Sequence, residues 1–513
     1  MRARVGGSSS RIQTKRYAPF TRGMRGEENK GVGANIAISR RDDTAVKKLK
    51  GSERIQAQSG VRIFSFQKTD GSIQDVIVKD QGSGNYRVRF YDEDGTETIP
   101  STDRDYTDLN FDFVQLGDKG YFASGSIYTW NGSDLVALTN SPTNIKGLAL
   151  DGFRIACITT TGAEFSRGDV VSAGDFSGGA GELLEGTYNT NISRPSAIIS
   201  TGVGVTIMDE NGGAELHKVR PKESSQDVSS DTQLNTFVYS GLGVDSQKKL
   251  VMGDRFLYSI NADGITEINP ITGESIVLTE AGKIKRYLGN SNVTNAKLTY
   301  HKREKLLMAL VASGGQLDTI FCVDVKRQSR DVIVMPRMYY DDIVLHGNYV
   351  HLIGKTQTDR VFSNNYIDKY DNPRTFRHIL EFDGFGNPFI EKFIRGINVF
   401  VTAKPNTSFN VSAYINGSTD IYASNNFTTS INAQSGDTIG VYGKYILGLG
   451  DPVSSNISDK IERNTKSFKC NTLAIEVTQI GVNADFQLHD ILVEYKGGRM
   501  TNDVSMKNNL FTL

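Results

Sequence analysis

Residues 120–138, with the sequence GYFASGSIYTWNGSDLVAL, contain the pattern that decides the fold. Short runs rich in Tyr, Phe, Ile and Val are separated by Gly125 and by the pair Asn131-Gly132. Such runs are typical of β-strands. Gly and Asn-Gly are typical of tight hairpin turns, because both tolerate a positive φ. The segment therefore predicts consecutive antiparallel strands joined by tight turns.

The same strand–turn–strand pattern recurs along most of the chain. It is found at residues 61–78, 86–99, 147–158, 195–213, 255–264, 305–325 and 349–353. Clusters of strands return roughly every 35 to 50 residues, the spacing of propeller blades, each of which is a small four-stranded sheet. We predict an all-β chain with a degenerate β-propeller of roughly five to seven blades over residues 59–375. A loose array of sandwiches is the alternative.

The pattern changes near residue 376. Strands with a cleaner apolar–polar alternation follow at residues 409–415, 467–477 and 486–495. Alternation of this kind is typical of antiparallel sheets with one buried face. We predict a β-sandwich domain over residues 376–500 and a short C-terminal tail over residues 501–513.

The first 58 residues are predicted to form an extended basic arm. Residues 1–62 contain fifteen Lys and Arg against five Asp and Glu, and few apolar residues, so they cannot bury enough surface to fold alone. The arm is either disordered or ordered against a neighbouring subunit, and a DNA-binding role is a further alternative. Its deletion is expected to weaken assembly and leave the β-sheet spectrum intact. The candidate partner-binding residues are Arg2, Arg4, Lys15, Arg16, Arg40, Arg41, Lys47 and Lys48.

No motif for catalysis, a cofactor or a metal is found, so none is predicted. The six histidines are scattered without an HExxH motif, and His346 and His351, five residues apart, need not share a face. The three cysteines are far apart, which disfavours a zinc site or a disulfide framework and favours buried free thiols in a reducing cytosol. A propeller glycosidase is the enzyme alternative, but the single Trp130 disfavours a sugar-binding groove.

Charge and hydropathy restrict the partners. The chain has 58 basic and 58 acidic residues, so no overall charge attracts it to nucleic acid or to an anionic membrane. No apolar run approaches the roughly 18 residues that span a bilayer, and the N-terminus lacks the apolar core of a signal peptide. Membrane insertion is therefore not predicted.

Three stretches resemble a known family. They are DGFRI at 151–155 with GAEFSRGD at 162–169 and AGDF at 173–176, LEFDGFGNP at 380–388 followed by EKF, and ILVEYKGGR at 491–499. These resemble a recurring propeller unit, the entry into a C-terminal sandwich and its last strand in the tail nozzle, or tail tubular protein B, family of short-tailed bacteriophages. Related hub and stabilisation proteins share this organisation.

The resemblance implies a structural virion protein, assembled in the host cytoplasm, that forms a hexameric ring. Such a ring would lie below the portal and adaptor proteins, contact tail fibres and let DNA pass through its lumen without sequence-specific binding. The lumen-facing loops are then expected to be neutral or acidic and to follow residue 60. A tail-fibre-attachment or receptor-binding protein is the alternative from the same setting.

Overall fold

The Gly-separated apolar runs form antiparallel strands that account for most of the described backbone. The structure, a computed structural model, describes residues 13–17, 31–34, 36–38, 46–48, 52–152, 154–160, 165–167, 176, 182–184, 194–202, 204–210, 214–217, 243–261, 264–280, 292–312, 317–325, 332–335, 338–361, 375–380, 384–387, 389–403, 407–416, 427–432, 468–480 and 486–500. The chain divides into two compact units, residues 52–363 and residues 1–51 with 364–513.

The first unit contains a long series of short strands. They are β5 (Ser52–Gln56), β6 (Arg62–Gln67), β7 (Ile73–Gly82), β8 (Asn85–Tyr91), β9 (Glu97–Thr98), β10 (Asp112–Leu116), β11 (Lys119–Ser124), β12 (Ser126–Trp130), β13 (Leu135–Ala137), β14 (Ile145–Asp151), β15 (Arg154–Thr159), β16 (Phe165–Arg167), β17 (Glu182–Leu184), β18 (Pro195–Ser200), β19 (Val205–Asp209), β20 (Ala214–His217), β21 (Leu250–Met252), β22 (Leu257–Asn261), β23 (Gly264–Ile268), β24 (Ser275–Glu280), β25 (Asn292–His301), β26 (Leu306–Ala312), β27 (Leu317–Asp324), β28 (Val332–Met335), β29 (Asp342–His346), β30 (Tyr349–Ile353) and β31 (Thr358–Val361). A 3₁₀ turn, Gln247–Lys249, precedes β21.

Within the described residues, these strands form seven small antiparallel sheets. Blades 1 to 6 begin with β6, β10, β14, β18, β21 and β25, and blade 7 begins with β29. The first strand of each blade contacts the first strand of the next, and β29 contacts β6, which closes the ring. The unit is therefore a seven-bladed β-propeller, and the prediction of a propeller is confirmed.

The ring is closed by a strand from the far end of the sequence. Blade 7 takes β29, β30 and β31 from residues 342–361 and its fourth strand, β5, from residues 52–56. An ion pair of 3.0 Å between Arg360 Nη2 and Glu53 Oε2 supports this pairing. Because β5 directly precedes blade 1, the backbone ties the last blade to the first and covers the outer edge of β31.

Aromatic packing between neighbouring blades explains the position of the single tryptophan. Trp130 on β12 is fully buried, and its ring stacks on that of Phe90 on β8, with ring centroids 3.7 Å apart. Phe64, Phe113 and Phe122 belong to the same core cluster of blades 1 and 2. Trp130 is thus a core residue and offers no stacking platform to a sugar.

The second unit is built from two facing sheets. Its strands are β1 (Gln13–Tyr17), β2 (Gly31–Ala34), β3 (Ile36–Ile38), β4 (Val46–Lys48), β32 (Thr375–Leu380), β33 (Ile390–Ala403), β34 (Ser408–Ile415), β35 (Phe427–Asn432), β36 (Phe468–Cys470), β37 (Leu473–Ile480) and β38 (Phe486–Met500). One sheet has the order β3-β4-β38-β33-β36, with β1 also on β38, and the other contains β2-β32-β37-β34-β35. Apolar residues of both sheets form one core cluster, as in a β-sandwich.

The described strands before residue 52 pair with strands of this sandwich, which differs from both alternatives expected for the arm. β1 pairs with residues 491–495 of β38, β2 pairs with β32, and β4 pairs with β3 and β38. The propeller unit accordingly begins at residue 52 rather than 59 and ends at 363 rather than 375. The arm contains few apolar residues, but its strands pair with β32 and β38, and the C-terminal residues supply the hydrophobic core of the sandwich. The predicted tail, residues 501–513, lies outside the described residues.

The remaining structural predictions concern cysteines and membranes. Cys157, Cys322 and Cys470 are buried free thiols, as predicted. Among the described residues, no helix has the length and apolarity that a membrane span requires.

Candidate functional site

Two histidines and an aspartate meet at the seam between blade 7 and blade 1. His346 ends β29, His351 lies on β30, and Asp75 lies on β7 of blade 1. The three residues are 3%, 5% and 1% exposed. Within the described residues, this is the only group of three or more His, Cys, Asp or Glu side chains whose ligating atoms are close enough to hold a metal ion.

A two-residue hairpin brings the two histidines to one face. His346 pairs with Tyr349, and Val344 pairs with His351, across the turn Gly347-Asn348. Gly347 has a φ of +58°, a backbone conformation that glycine adopts without strain. Paired residues share a face and so do residues two apart on a strand, so His346 and His351 point the same way. The spacing of five residues left open whether the two histidines share a face, and the hairpin register shows that they do.

The Asp75 carboxylate contacts the imidazole rings of both histidines. Its Oδ1 lies 2.9 Å from His346 Nδ1 and 3.0 Å from His351 Nδ1, and its Oδ2 lies 3.1 Å from His351 Nδ1. The His351 contact has hydrogen-bond geometry, whereas the His346 contact is short but poorly aligned. Burial by itself raises the pKa of Asp75, but the two imidazoles more than offset this and lower it to about 2. Asp75 is thus an anion at neutral pH.

The ring geometry argues against a shared metal ion. Two histidines and a carboxylate are a suitable ligand set for a divalent transition metal. However, the two imidazole rings stack with centroids 4.0 Å apart and planes only 14° from parallel. An imidazole nitrogen binds a metal in the plane of its ring, and two stacked planes do not meet at one ion. The arrangement instead suits a buried carboxylate that links two histidines across the seam.

A second group of ionisable side chains lies where the first strands of the blades begin. The Asp342 carboxylate on β29 is fully buried, accepts a hydrogen bond of 3.1 Å from the backbone nitrogen of Ile63, and lies 3.1 Å from Lys248 Nζ. Burial raises its pKa, but the positive charges of Lys248, Arg62 and Lys297 lower it below its ordinary value. These contacts connect blade 7 to blade 1 and to the turn before blade 5.

Two further polar side chains, the buried Asp112 and the half-buried Gln247, connect neighbouring blades in the same way. Asp112 Oδ2 on β10 accepts a 2.7 Å hydrogen bond from the backbone nitrogen of Leu148 on β14. Gln247 Oε1 accepts from the backbone nitrogen of Ile198 at 2.8 Å, and its Nε2 donates to the Ile198 carbonyl at 2.6 Å. Burial raises the pKa of Asp112 to about 6, opposed by the Leu148 hydrogen bond. These groups bind backbone rather than solvent.

A shallow polar depression opens beside these links. It encloses about 350 Å³ of space that includes open solvent. Its lining includes Arg62, Asn110, Lys146, Ser196, Asp245 and Lys248. Its one lining carboxylate, Asp245, pairs with Lys249 at 2.7 Å. Glycosidases use a pair of carboxylates on either side of the sugar, and the lining of this depression lacks that pair.

The predicted partner-binding residues fall into two groups. Lys15 and Arg16 lie on β1, opposite Val493 and Leu492, and Lys47 and Lys48 lie on β4. The Lys15 ammonium lies 5.8 Å from the ring centroid of Phe385 in the same unit. The other four, Arg2, Arg4, Arg40 and Arg41, are outside the described residues. The structure thus places half of the set on strands of the sandwich and does not gather it into one site.

The sequence did contain a signal for the histidine cluster but none for the ionisable group around Asp342. A two-residue turn after His346 implies the hairpin register that places His351 on the same face. The group around Asp342, in contrast, is formed by residues that are far apart in sequence and that only closure of the propeller ring brings together.

Comparisons with known proteins find only distant structural similarities. No protein-family model and no curated protein matches the chain. Among solved structures, BamB from Moraxella catarrhalis is 13% identical with a TM-score of 0.37, covering 64% of this chain and 95% of BamB. PorZ of Porphyromonas gingivalis is 8% identical with a TM-score of 0.42, covering 73% of this chain and about half, 54%, of PorZ. BBS1N, solved in complex with ARL6DN, is 11% identical with a TM-score of 0.39, covering 65% of this chain and 98% of BBS1N. These similarities concern the fold alone.

Proposed function

We propose that the chain is a non-enzymatic structural subunit of a short-tailed bacteriophage tail. In this proposal, copies of the chain assemble in the host cytoplasm into a hexameric ring of the nozzle type. The ring lies below the portal and adaptor proteins, carries tail fibres or other tail proteins, and surrounds a lumen through which DNA passes without sequence-specific binding.

The observation that carries the proposal is the use of the buried polar groups. The buried Asp112 and Asp342 bind the backbone of a neighbouring blade, as does the half-buried Gln247, and Asp75 contacts two histidines across the seam. A polar group that bonds to the backbone of another blade fixes the two blades relative to each other, whereas catalysis needs groups that face a substrate. This supports a rigid wall-forming role over a reaction.

Three sequence stretches supply the finer part of the proposal. Residues 151–155, from the first stretch, end β14 and begin β15 of blade 3. The second stretch, residues 380–393, leads from the end of β32 into β33 of the sandwich. The third, residues 491–499, lies within β38. Each stretch occupies the kind of element that the family resemblance implies, which favours the nozzle reading over a fibre-attachment protein.

The test is the mass and shape of the purified full-length chain. Light scattering is expected to give about six times the chain mass of 56.4 kDa, and negative-stain images are expected to show rings with a central hole. A monomer that releases sugars from bacterial surface polysaccharide would instead favour the glycosidase alternative and overturn the proposal.

Charge variants distinguish a subunit contact from a DNA contact at the N-terminal basic residues. The variant Arg40→Gln with Arg41→Gln is expected to reduce ring formation at equal protein concentration. The matched control is Lys302→Gln with Arg303→Gln, an exposed basic pair in the propeller. If ring formation persists and salt-sensitive DNA binding falls instead, these residues bind nucleic acid, since phosphate contacts weaken steeply with salt.

A further inference from the structure

One turn contacts blades on opposite sides of the propeller. Residues 244–249 directly precede β21 of blade 5 and include the 3₁₀ turn Gln247–Lys249; we call them the axial turn. Gln247 contacts blades 3 and 4, and Lys248 contacts blades 1 and 7. The 3₁₀ turn also contacts β25 of blade 6. The axial turn therefore links blades that are not neighbours of each other.

The Gln247 side chain is inserted between blades 3 and 4. Its Oε1 accepts a hydrogen bond from the backbone nitrogen of Ile198 at 2.8 Å, and its Nε2 donates to the Ile198 carbonyl at 2.6 Å and to the Leu148 carbonyl at 3.4 Å. A Cβ at Gly147 would lie 2.6 Å from Gln247 Oε1, so a side chain at this position would displace the amide. Both ends of the amide thus bind the backbone of the first strands β14 and β18.

The Lys248 side chain makes its contacts on the opposite side of the ring. Its Nζ lies 3.1 Å from Asp342 Oδ2 on β29 of blade 7 and donates to the carbonyl of Ile63 on β6 of blade 1 at 3.3 Å. Nζ also lies 4.2 Å from the ring centroid of Phe64, a cation–π contact. Because both charges of the ion pair are largely removed from water, losing either partner leaves the other buried and unpaired, which is costly.

The two sets of contacts together place the axial turn across the propeller axis. In the closed ring of blades 1 to 7, the boundary between blades 3 and 4 lies opposite the boundary between blades 7 and 1. Consecutive Cα atoms are only about 3.8 Å apart, so two neighbouring residues reach both boundaries only from the centre of the ring. Residues 245–248 accordingly line the shallow depression described above.

We propose that the axial turn is a plug that closes the propeller axis and couples opposite blades, so that the propeller opens and unfolds as one unit. Contacts between neighbouring blades alone would let a ring open first at its weakest seam. The plug resists such opening, because parting blades 3 and 4 breaks the Gln247 contacts and parting blades 7 and 1 breaks the Lys248 contacts. With the axis closed, the lumen of the proposed ring lies between copies of the chain; this last step rests on the proposed function, whereas the test needs no ring.

The test compares two regions of the propeller in the full-length chain. Trp130 fluorescence reports on blades 1 and 2, and pulsed alkylation of the buried Cys322 thiol, located by peptide mass spectrometry, reports on blade 6. In wild type, Cys322 alkylation is expected to follow the Trp130 transition through a urea series. In the double variant Gln247→Ala with Lys248→Met, Cys322 is expected to react about tenfold or more faster than in wild type at equal Trp130 signal, the usual weight of one charge-assisted hydrogen bond.

The matched control, Lys146→Met, removes a 2.6 Å ion pair with Glu210 that links only the neighbouring blades 3 and 4, and its Cys322 alkylation is expected to match wild type. Amide hydrogen exchange of the wild type keeps the test decisive if the double variant does not fold. The Ile198 amide, bonded to Gln247, is expected to exchange as slowly as the slowest amides of the propeller. Exchange of this amide about tenfold or more faster, or a double variant in which Cys322 reacts as in the control, would overturn the proposal.

Discussion

Replacing Asp75 by asparagine tests the seam between the first and last blades. The change keeps the size of the side chain but removes the negative charge that lies within 3.1 Å of both histidines. The Asp75 pKa of about 2, compared with an ordinary value of 3.8, corresponds to roughly 2 kcal/mol of stability at neutral pH, at about 1.36 kcal/mol per pKa unit. The asparagine NH₂ also faces an imidazole nitrogen, so we expect a total loss of about 2–4 kcal/mol.

The single tryptophan makes the assay specific to the propeller. Trp130 is buried in the core of blades 1 and 2, so its fluorescence during urea denaturation follows the propeller and not the sandwich. The control is Asp80→Asn, an exposed residue of the same strand β7, for which a change below about 0.5 kcal/mol is expected. A loss in Asp75→Asn no larger than in Asp80→Asn would refute the reasoning.

The pH dependence has a defined sign. Because the pKa of Asp75 is lowered in the folded protein, its stabilisation is present above the unfolded pKa of about 3.8 and is lost as the pH falls towards about 2. The difference in the free energy of unfolding between wild type and Asp75→Asn should therefore persist at pH 5 and shrink below about pH 4.

Three further predictions concern other parts of the propeller. Deleting residues 1–58 removes β5, the fourth strand of blade 7. We therefore expect the propeller to be destabilised, with a lower urea midpoint and a less cooperative transition followed by Trp130 fluorescence, whereas the sequence alone led us to expect a loss of assembly only. An unchanged midpoint would contradict this. Asp112→Asn is expected to be less stable than wild type in urea denaturation at pH 4, because both Asp112 oxygens accept backbone N–H groups and the amide nitrogen cannot; this loss is expected to shrink by about 2–3 kcal/mol above pH 6, where wild type carries the disfavoured ionised form, and a pH-independent difference would contradict it. Gly60→Ala is expected to lose more than about 1 kcal/mol in urea denaturation, because a Cβ would lie 2.6 Å from Ile77 Cγ2 and 2.8 Å from the Val78 carbonyl, and a neutral result would show that this close packing relaxes.

The blade pattern could be predicted from sequence because its signals are local. In residues 120–138, Gly125 and Gly132 adopt φ values of +67° and +96°, as hairpin turns require, and the flanking runs form β11, β12 and β13. The closing strand β5 has no such signal. Its sequence, SERIQ, is mostly polar and becomes a strand only because β31 offers an unpaired edge. Long-range pairing of this kind is decided by ring closure rather than by local propensity.

The candidate site, too, could be predicted from sequence only in part. The shared face of His346 and His351 follows from one hairpin register, which is local information. Their contact with Asp75, more than 270 residues away in sequence, follows only from the adjacency of blades 7 and 1. The burial of Lys297 could not be predicted from sequence either, since a lysine on a strand is ordinarily exposed to solvent. It is buried because β25 lies between the first strands of blades 5 and 7, β21 and β29.

The engagement of the N-terminal residues changes how a ring of subunits would be built. Strands β1, β2 and β4 already pair within the sandwich and β5 within the propeller, so exchanging any of them with a neighbouring copy would first break its pairing within the chain. A ring held by exchange of these strands would require the chain to open both units at large cost. Subunit contacts should therefore come from side-chain surfaces. Mixing two differently labelled ring preparations tests this: rapid exchange of subunits without loss of Trp130 fluorescence supports surface contacts, and exchange only after unfolding supports swapped strands.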